Sequence, residues 1–260
     1  MSGRAELAEE VVGLIRHFAK LYSIESLFIV GGYCRAKVMG DDESVDDIDV
    51  ASAFPRQAMS MCGLFASEVL HTTPTFYQRT GTGMVEYNGM RIEFQNDSVN
   101  SYMQNPDVIQ WMRSQRLPDV PVINNVFGRD FTINSLLLGV SDDKFYDITG
   151  RGVQDINRKT ICSILPANIL IRYNPLAITR AIRFSIRYGF IIHPELRKAM
   201  KRNVESLFKA YTRERLVLEA KKILSSNPEK GIQALEKYGL GRLLMDESLS
   251  EYAEVVAKGE

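Results

Sequence analysis

Apolar and polar positions alternate along this chain with two different periods. Residues 4–21 carry Leu7, Val11, Leu14, Ile15 and Phe18 at helical spacing and predict an amphipathic helix. The run Leu27-Phe28-Ile29-Val30 predicts a buried strand, followed by a glycine turn and a short helix to about Met39. Asp47 to Ala51 alternates acid and apolar, the pattern of a strand with its acids on one face. Pro55 suits the first turn of a helix running to about Leu70. Met84-Val85-Glu86-Tyr87 and Met90-Arg91-Ile92-Glu93-Phe94 flank Asn88-Gly89, a strong hairpin signal. Residues 96–127 predict only one helix, near Val108 to Ser114, and residues 131–138 read as helical. Phe145-Tyr146-Asp147 and Thr160-Ile161-Cys162 are strand-like. Beyond them, helices are expected at about 174–188, 194–206, 212–225 and 228–238, punctuated by Gly189, Pro194, Pro228 and Gly239. An α/β N-terminal half thus precedes a helical C-terminal part, with no internal repeat.

Composition narrows the class. The 260 residues are 45% hydrophobic and 25% charged, ordinary for a globular chain of one large or two small domains. No stretch of 18 apolar residues predicts a membrane span, so no membrane partner is expected. The first residues lack the layout of a signal peptide, and the three cysteines, Cys34, Cys62 and Cys162, are too scattered for a disulfide framework or a zinc site. A cytoplasmic location is the expectation. Thirty-two basic and 32 acidic residues cancel, yet they are unevenly spread: acids crowd Asp41 to Asp49, and bases dominate Arg180 to Lys222. Such a layout suits a polyanionic substrate, the plain alternative being solvated helix faces.

Three clusters carry candidate chemistry. Gly31-Gly32-Tyr33-Cys34-Arg35 lies shortly before Asp47-Ile48-Asp49. Adjacent carboxylates repel unless a cation lies between them, and magnesium is the usual ion beside substrate phosphates. A glycine turn lets backbone N–H groups approach an anion, and Arg35 offers a planar donor fork to phosphate. Glu93, on a strand that could run beside Asp47 to Val50, would activate an attacking hydroxyl or complete the metal shell. Its plain alternative is a hairpin ion pair with Arg91. Gly128-Arg129-Asp130-Phe131-Thr132-Ile133-Asn134 would cap a helix and also bind phosphate or sugar, or simply cap it with Phe131 and Ile133 in the core. Arg180, Arg183 and Arg187 form a basic stripe on one helix, facing phosphate or solvent. His17, His71 and His193 show no metal-ligand or triad spacing.

Together these strings resemble the class II CCA-adding enzymes and bacterial poly(A) polymerases. Phe28 to Arg35 with Asp47-Ile48-Asp49-Val50 is similar to the family's head signature. Gly128 to Leu136 resembles its Arg-Arg-Asp-Phe-Thr-hydrophobic-Asn-Ala motif. Tyr146-Asp147-Ile148-Thr149-Gly150 through Asp155-Ile156 looks like the link to the neck, and Asn174 to Phe184 with Tyr188-Gly189-Phe190 like the neck motif. The resemblance implies an α+β fold: a polymerase-β-like nucleotidyltransferase head, a small mixed sheet with helices over residues 1–140, followed by an all-helical neck over 141–260, without the family's body and tail. It implies catalytic Asp47, Asp49 and Glu93, with two Mg²⁺ ions held by Asp47 and Asp49. Gly31, Gly32, Arg35, Arg129, Asp130, Asn134, Asn174, Arg180 and Arg183 would bind the nucleotide. An RNA 3′-hydroxyl, that of tRNA included, would attack the α-phosphate of ATP or CTP and release pyrophosphate.

The departures carry expectations too. Ala36 and Gly128 stand where the family has Asp and Arg. Tyr173-Asn174-Pro175-Leu176-Ala177 stands where it has Glu-Asp-x-x-Arg, whose Asp and Arg read the base edge. Altered base selection follows, and so does an alternative: an RNA-binding or structural subunit that kept the fold without turnover. With the chain ending near residue 260, the expectation is a short polymerase, an RNA grip supplied by a protein partner, or a repurposed subunit.

Overall fold

The computed structural model describes residues 3–42, 45–54, 56–97, 101–115 and 122–258; Pro55 and its expected role lie outside them. The chain forms two compact units, Met1–Asn157 and Arg158–Glu260.

The first unit runs α1 (Arg4–Leu21), β1 (Leu27–Val30), α2 (Gly32–Met39), β2 (Asp47–Ser52), α3 (Ala58–Glu68), β3 (Thr75–Tyr77), β4 (Thr82–Tyr87) and β5 (Met90–Asn96). It continues through α4 (Pro106–Ser114), α5 (Ile123–Phe127), β6 (Leu136–Gly139), β7 (Phe145–Asp147) and α6 (Gly152–Asn157). Its strands make one seven-stranded sheet in the order β3-β4-β5-β2-β1-β6-β7. The β2–β5 pair is parallel and every other pair antiparallel, so the sheet is mixed. The β4–β5 hairpin closes at Asn88 (φ 50°) and Gly89 (φ 80°), the two positive φ angles of the turn that matches strand twist.

The periodicities decide what is buried. On α1, Val11, Val12, Ile15 and Phe18 are fully buried. Ile48, Val50, Ile92 and Phe94 on β2 and β5 are likewise 0% exposed. Phe94 meets Phe65 of α3 with ring centroids 5.5 Å apart and Phe18 of α1 at 6.5 Å. Each such side chain contributes about 1.5–3 kcal/mol through burial. One face of β2–β5 is therefore core under α1 and α3. Side chains of alternate residues, Asp47, Asp49, Arg91 and Glu93, project from the other.

Residues 131–138 depart from the expected helix: a 3-10 turn over Thr132–Asn134 runs into strand β6, whose four residues are all buried. A continuous apolar run cannot distinguish a buried strand from a helix by period. The first unit also extends past residue 140, where the resemblance placed the end of the head, because β7 pairs with β6.

The second unit comprises β8 (Thr160–Ile161), α7 (Ala167–Tyr173), α8 (Ala177–Tyr188), β9 (Ile191–Ile192), α9 (Pro194–Ala210), α10 (Arg213–Leu224), α11 (Pro228–Lys237) and α12 (Glu247–Lys258). It is helical apart from the short parallel pair β8–β9. The helix expected from residue 174 starts at Ala177, since Pro175 lacks an N–H and drives Asn174 out of helical conformation (φ −134°, ψ 72°). Among the described residues no helix is long and apolar enough to cross a membrane.

Candidate active site

Strand register assembles the site. In the parallel β2–β5 pair Asp47 lies opposite Arg91 and Asp49 opposite Glu93, so four charged residues share one face. The alternative ion pair for Glu93 is not formed: Arg91 Nη2 lies 3.6 Å from Asp47 Oδ2. Burial, reinforced by the nearby charge of Asp47, raises the Glu93 pKa above the usual carboxylate range.

The glycine turn faces these acids. Gly31 has φ 74° and ψ −122° and precedes the first residue of α2. A Cβ there would lie 2.7 Å from Arg129 Nη1 and 2.9 Å from Asp49 Oδ2, so any side chain would displace the guanidinium and the carboxylate as well as strain the positive φ. At Gly32 the same construction reaches 3.8 Å from both Arg35 Nη2 and Asp47 Oδ1. The N-terminus of α2, with its outward N–H groups, is thus beside both aspartates.

Arg35 is 7% exposed and donates from Nη1 to Oδ1 of Asn134, itself 5% exposed. These two sequence-predicted residues therefore form one buried pair. Asp130 is also buried, and Phe131 and Ile133 are core residues. Thr132 Oγ1 donates to Asp155 at 2.6 Å, tying this segment to α6. Cys34 is fully buried, donates to the Ile29 carbonyl at 3.2 Å, and has its thiol pushed up to about 12 by burial, so it is structural rather than nucleophilic.

The sequence reading missed a relay of amides. Gln95 Nε2 donates to Asp49 Oδ1 at 3.0 Å and to Glu93 Oε1 at 3.3 Å. Asn125 Nδ2 reaches Gln95 Oε1 at 3.5 Å, and Asn125 Oδ1 accepts from Arg129 Nε at 3.1 Å and Nη2 at 3.0 Å. Asp97 holds α5 in place by accepting from the Asn125 amide at 2.6 Å and Asn124 Nδ2 at 2.9 Å. The signal for Gln95 was its position two residues after Glu93, on the same strand face. Asn125 lies in the segment whose helix the polar pattern did not disclose.

The donor set suits a hard divalent ion, which binds through one or two carboxylates and completes its shell with substrate and water oxygens. Asp47 and Asp49 supply that pair. Among the described residues no three His, Cys, Asp or Glu side chains are grouped to hold a metal ion.

Asn174, Arg180 and Arg183 belong to the second unit. Asn174 ends α7, its carbonyl accepting from the Ala177 amide at 3.1 Å. Arg180 and Arg183 lie on α8 with Arg187.

A family model described as "Poly A polymerase head domain" matches residues 27–162, which hold the glycine turn, the acid pair, Glu93 and Arg129. The chain belongs to this family. A second model, "Probable RNA and SrmB- binding site of polymerase A", matches residues 189–250. Among relatives of the polymerase family, a CCA-adding enzyme of Limosilactobacillus reuteri is 29% identical over 218 residues, covering 82% of this chain and 49% of its own length. Of solved structures, a CCA-adding enzyme in complex with ATP superposes with TM-score 0.71 at 22% identity, covering 93% of this chain and 54% of that one. A tRNA-processing enzyme with CTP gives 0.67 at 25% identity, covering 90% and 56%. The chain spans about half the length of the curated relatives it matches. Nucleotidyltransferases of this family generally depend on a divalent metal.

Proposed function

We propose that this chain is a metal-dependent RNA 3′-nucleotidyltransferase that transfers NMP from ATP or CTP to an RNA 3′ end, with a tRNA end as the leading substrate. One observation carries the reading: Asp47, Asp49 and Glu93 share a sheet face beside the Gly31-Gly32 helix start. The curated relatives' names point to CCA addition, and one solved neighbour holds CTP.

In this reading the α2 N-terminus and Arg129 bind the triphosphate, and Asp47 and Asp49 hold Mg²⁺ in a two-metal site. A divalent ion held there would supply neutralisation of phosphate charge and a lower pKa for the RNA hydroxyl. Glu93, its pKa raised, accepts the hydroxyl proton through its carboxylate. A 3′-O–P bond forms, the α–β phosphoanhydride breaks, and pyrophosphate carries away the displaced electron pair. The buried Arg35–Asn134 pair and Asp130 shape the sugar end of the pocket. The family's base-reading Asp and Arg are Asn174 and Ala177 in this chain; an amide offers both donor and acceptor and a methyl group neither, so base selection is altered. The three free thiols fit a reducing, cytoplasm-like compartment.

The test is an extension assay with labelled RNA, Mg²⁺ and each NTP in turn. Extension by the wild type and none by a folded Asp49→Ala variant is expected. No extension with any NTP over several RNAs overturns the proposal. Fixed-stoichiometry copurification of a partner would then favour the binding-subunit reading that Gly128, Asn174 and Ala177 suggest.

A further inference from the structure

The second unit carries a concavity of about 360 Å³ lined by Arg183, Arg187, Lys222, Ser225 and Ser226. Arg183 and Arg187 are one turn apart on α8, and Lys222 lies in the last turn of α10, which packs on α8. The lining is three cations and two hydroxyls, with no carboxylate. The neighbouring acid, Glu219, is 3% exposed and already shared by Lys222 at 2.9 Å and Arg215 at 3.1 Å. The cavity wall itself is therefore formed by basic and hydroxyl side chains alone.

The guanidinium groups are held in place. Arg183 lies 5.0 Å from the Phe184 ring centroid and Arg187 5.5 Å from that of Tyr188, and the two rings stack at 5.8 Å. Arg183 Nε is buried and, among the described residues, has no hydrogen-bond acceptor. Burial, then the charge of Arg180, pulls the Arg183 pKa down from its usual value. A bound oxyanion would relieve that repulsion and satisfy the orphan donor. Pre-set guanidinium forks beside hydroxyls match phosphate oxygens.

We propose that this cavity seats one backbone phosphate of RNA. Arg183 and Arg187 engage its non-bridging oxygens, and Lys222, Ser225 and Ser226 close the far side. The RNA model spanning 189–250 covers Lys222, Ser225 and Ser226. The source of the phosphate rests on the RNA reading above; the anion site itself does not. Arg183 then serves the RNA backbone rather than the incoming nucleotide.

The test uses the full chain with Arg187→Gln, Lys222→Gln and the double variant, each checked for fold by circular dichroism. Both side chains are exposed, and Arg215 still pairs with Glu219 when Lys222 is changed. Anisotropy with a labelled single-stranded RNA over a KCl series is expected to show affinity falling several-fold per substitution. The slope of log affinity against log salt falls by about 0.7 for each lost contact. ATP binding stays unchanged. Inorganic phosphate, titrated as competitor, displaces RNA less effectively from the double variant.

The proposal is overturned by unchanged RNA affinity and slope in the double variant, by an equal loss of ATP affinity, or by no RNA binding by the wild type. Tight inorganic phosphate binding with weak RNA binding also overturns it and marks a free-phosphate site. Extension activity is read separately. Extension with unaltered RNA affinity in the double variant sinks this site alone, and altered affinity without extension sinks only the catalytic reading.

Discussion

The two units concentrate charge by different geometry. In the first, β2 and β5 run parallel, and register sets Asp49 against Glu93. In the second, residues three and four apart on α8 form a ridge of Arg180, Arg183 and Arg187. A strand face fixes side chains within a few ångströms of one another and has a packed core directly behind it. A helical ridge spaces its cations about a turn apart and presents them broadly. The first arrangement suits bond making at a point, the second a grip on an extended polyanion.

Three substitutions and one alkylation sharpen this contrast, taken from the largest effect down. Phe94→Ala removes a fully buried ring from the aromatic cluster behind the charged face; a loss of about 3–5 kcal/mol is expected in urea unfolding. A loss below about 1 kcal/mol would mean that the core does not brace the site. Next, Gln95→Leu breaks the amide link between Asp49 and Glu93. Extension should fall about 10–100-fold with unfolding midpoint nearly unchanged, as for other groups that orient ligand-bearing side chains. Unaltered kinetics would reduce the relay to packing.

Asn227→Ala deletes the cap on α11, where Asn227 Oδ1 accepts from the Lys230 amide at 2.9 Å. About 1 kcal/mol of stability should go, with extension unaffected. The smallest effect is chemical. At pH 8 the thiol of Cys34, pushed to about 12 by burial, stays protonated, and so does that of Cys62 for the same reason. Half-buried Cys162 should therefore alkylate first, as mass spectrometry of a timed iodoacetamide reaction would show.

Most of the fold's outline was legible in the sequence. Asn88-Gly89 announced the hairpin, and the acid–apolar alternation announced β2. What stayed hidden depended on tertiary context. The apolar run after Asp130 reads equally as helix or buried strand, and only pairing with β1 and β7 makes Leu136–Gly139 a strand. Arg35 looks like a phosphate fork by type, yet its position beneath the sheet commits Nη1 to Asn134. Gln95 and Asn125 are unremarkable polar residues until the fold sets Asp49 beside the first and Arg129 beside the second. Pro175 was visible, and its break in the helix could have been placed by the steric rule alone.

The parallel pairing of β2 with β5 also bears on how the molecule acquires its chemistry. The hairpin at Asn88-Gly89 joins neighbours in the chain and can close within microseconds, whereas β2 must find β5 across a long intervening segment. Asp49 and Glu93 therefore meet only after the slow, non-local step of folding. Pulsed hydrogen exchange should protect the amides of β4 and β5 that face each other before those of Ile48 and Val50; simultaneous protection would show that the sheet forms in one event. Until β2 and β5 pair, the chain lacks the charged face on which Asp49 and Glu93 stand side by side.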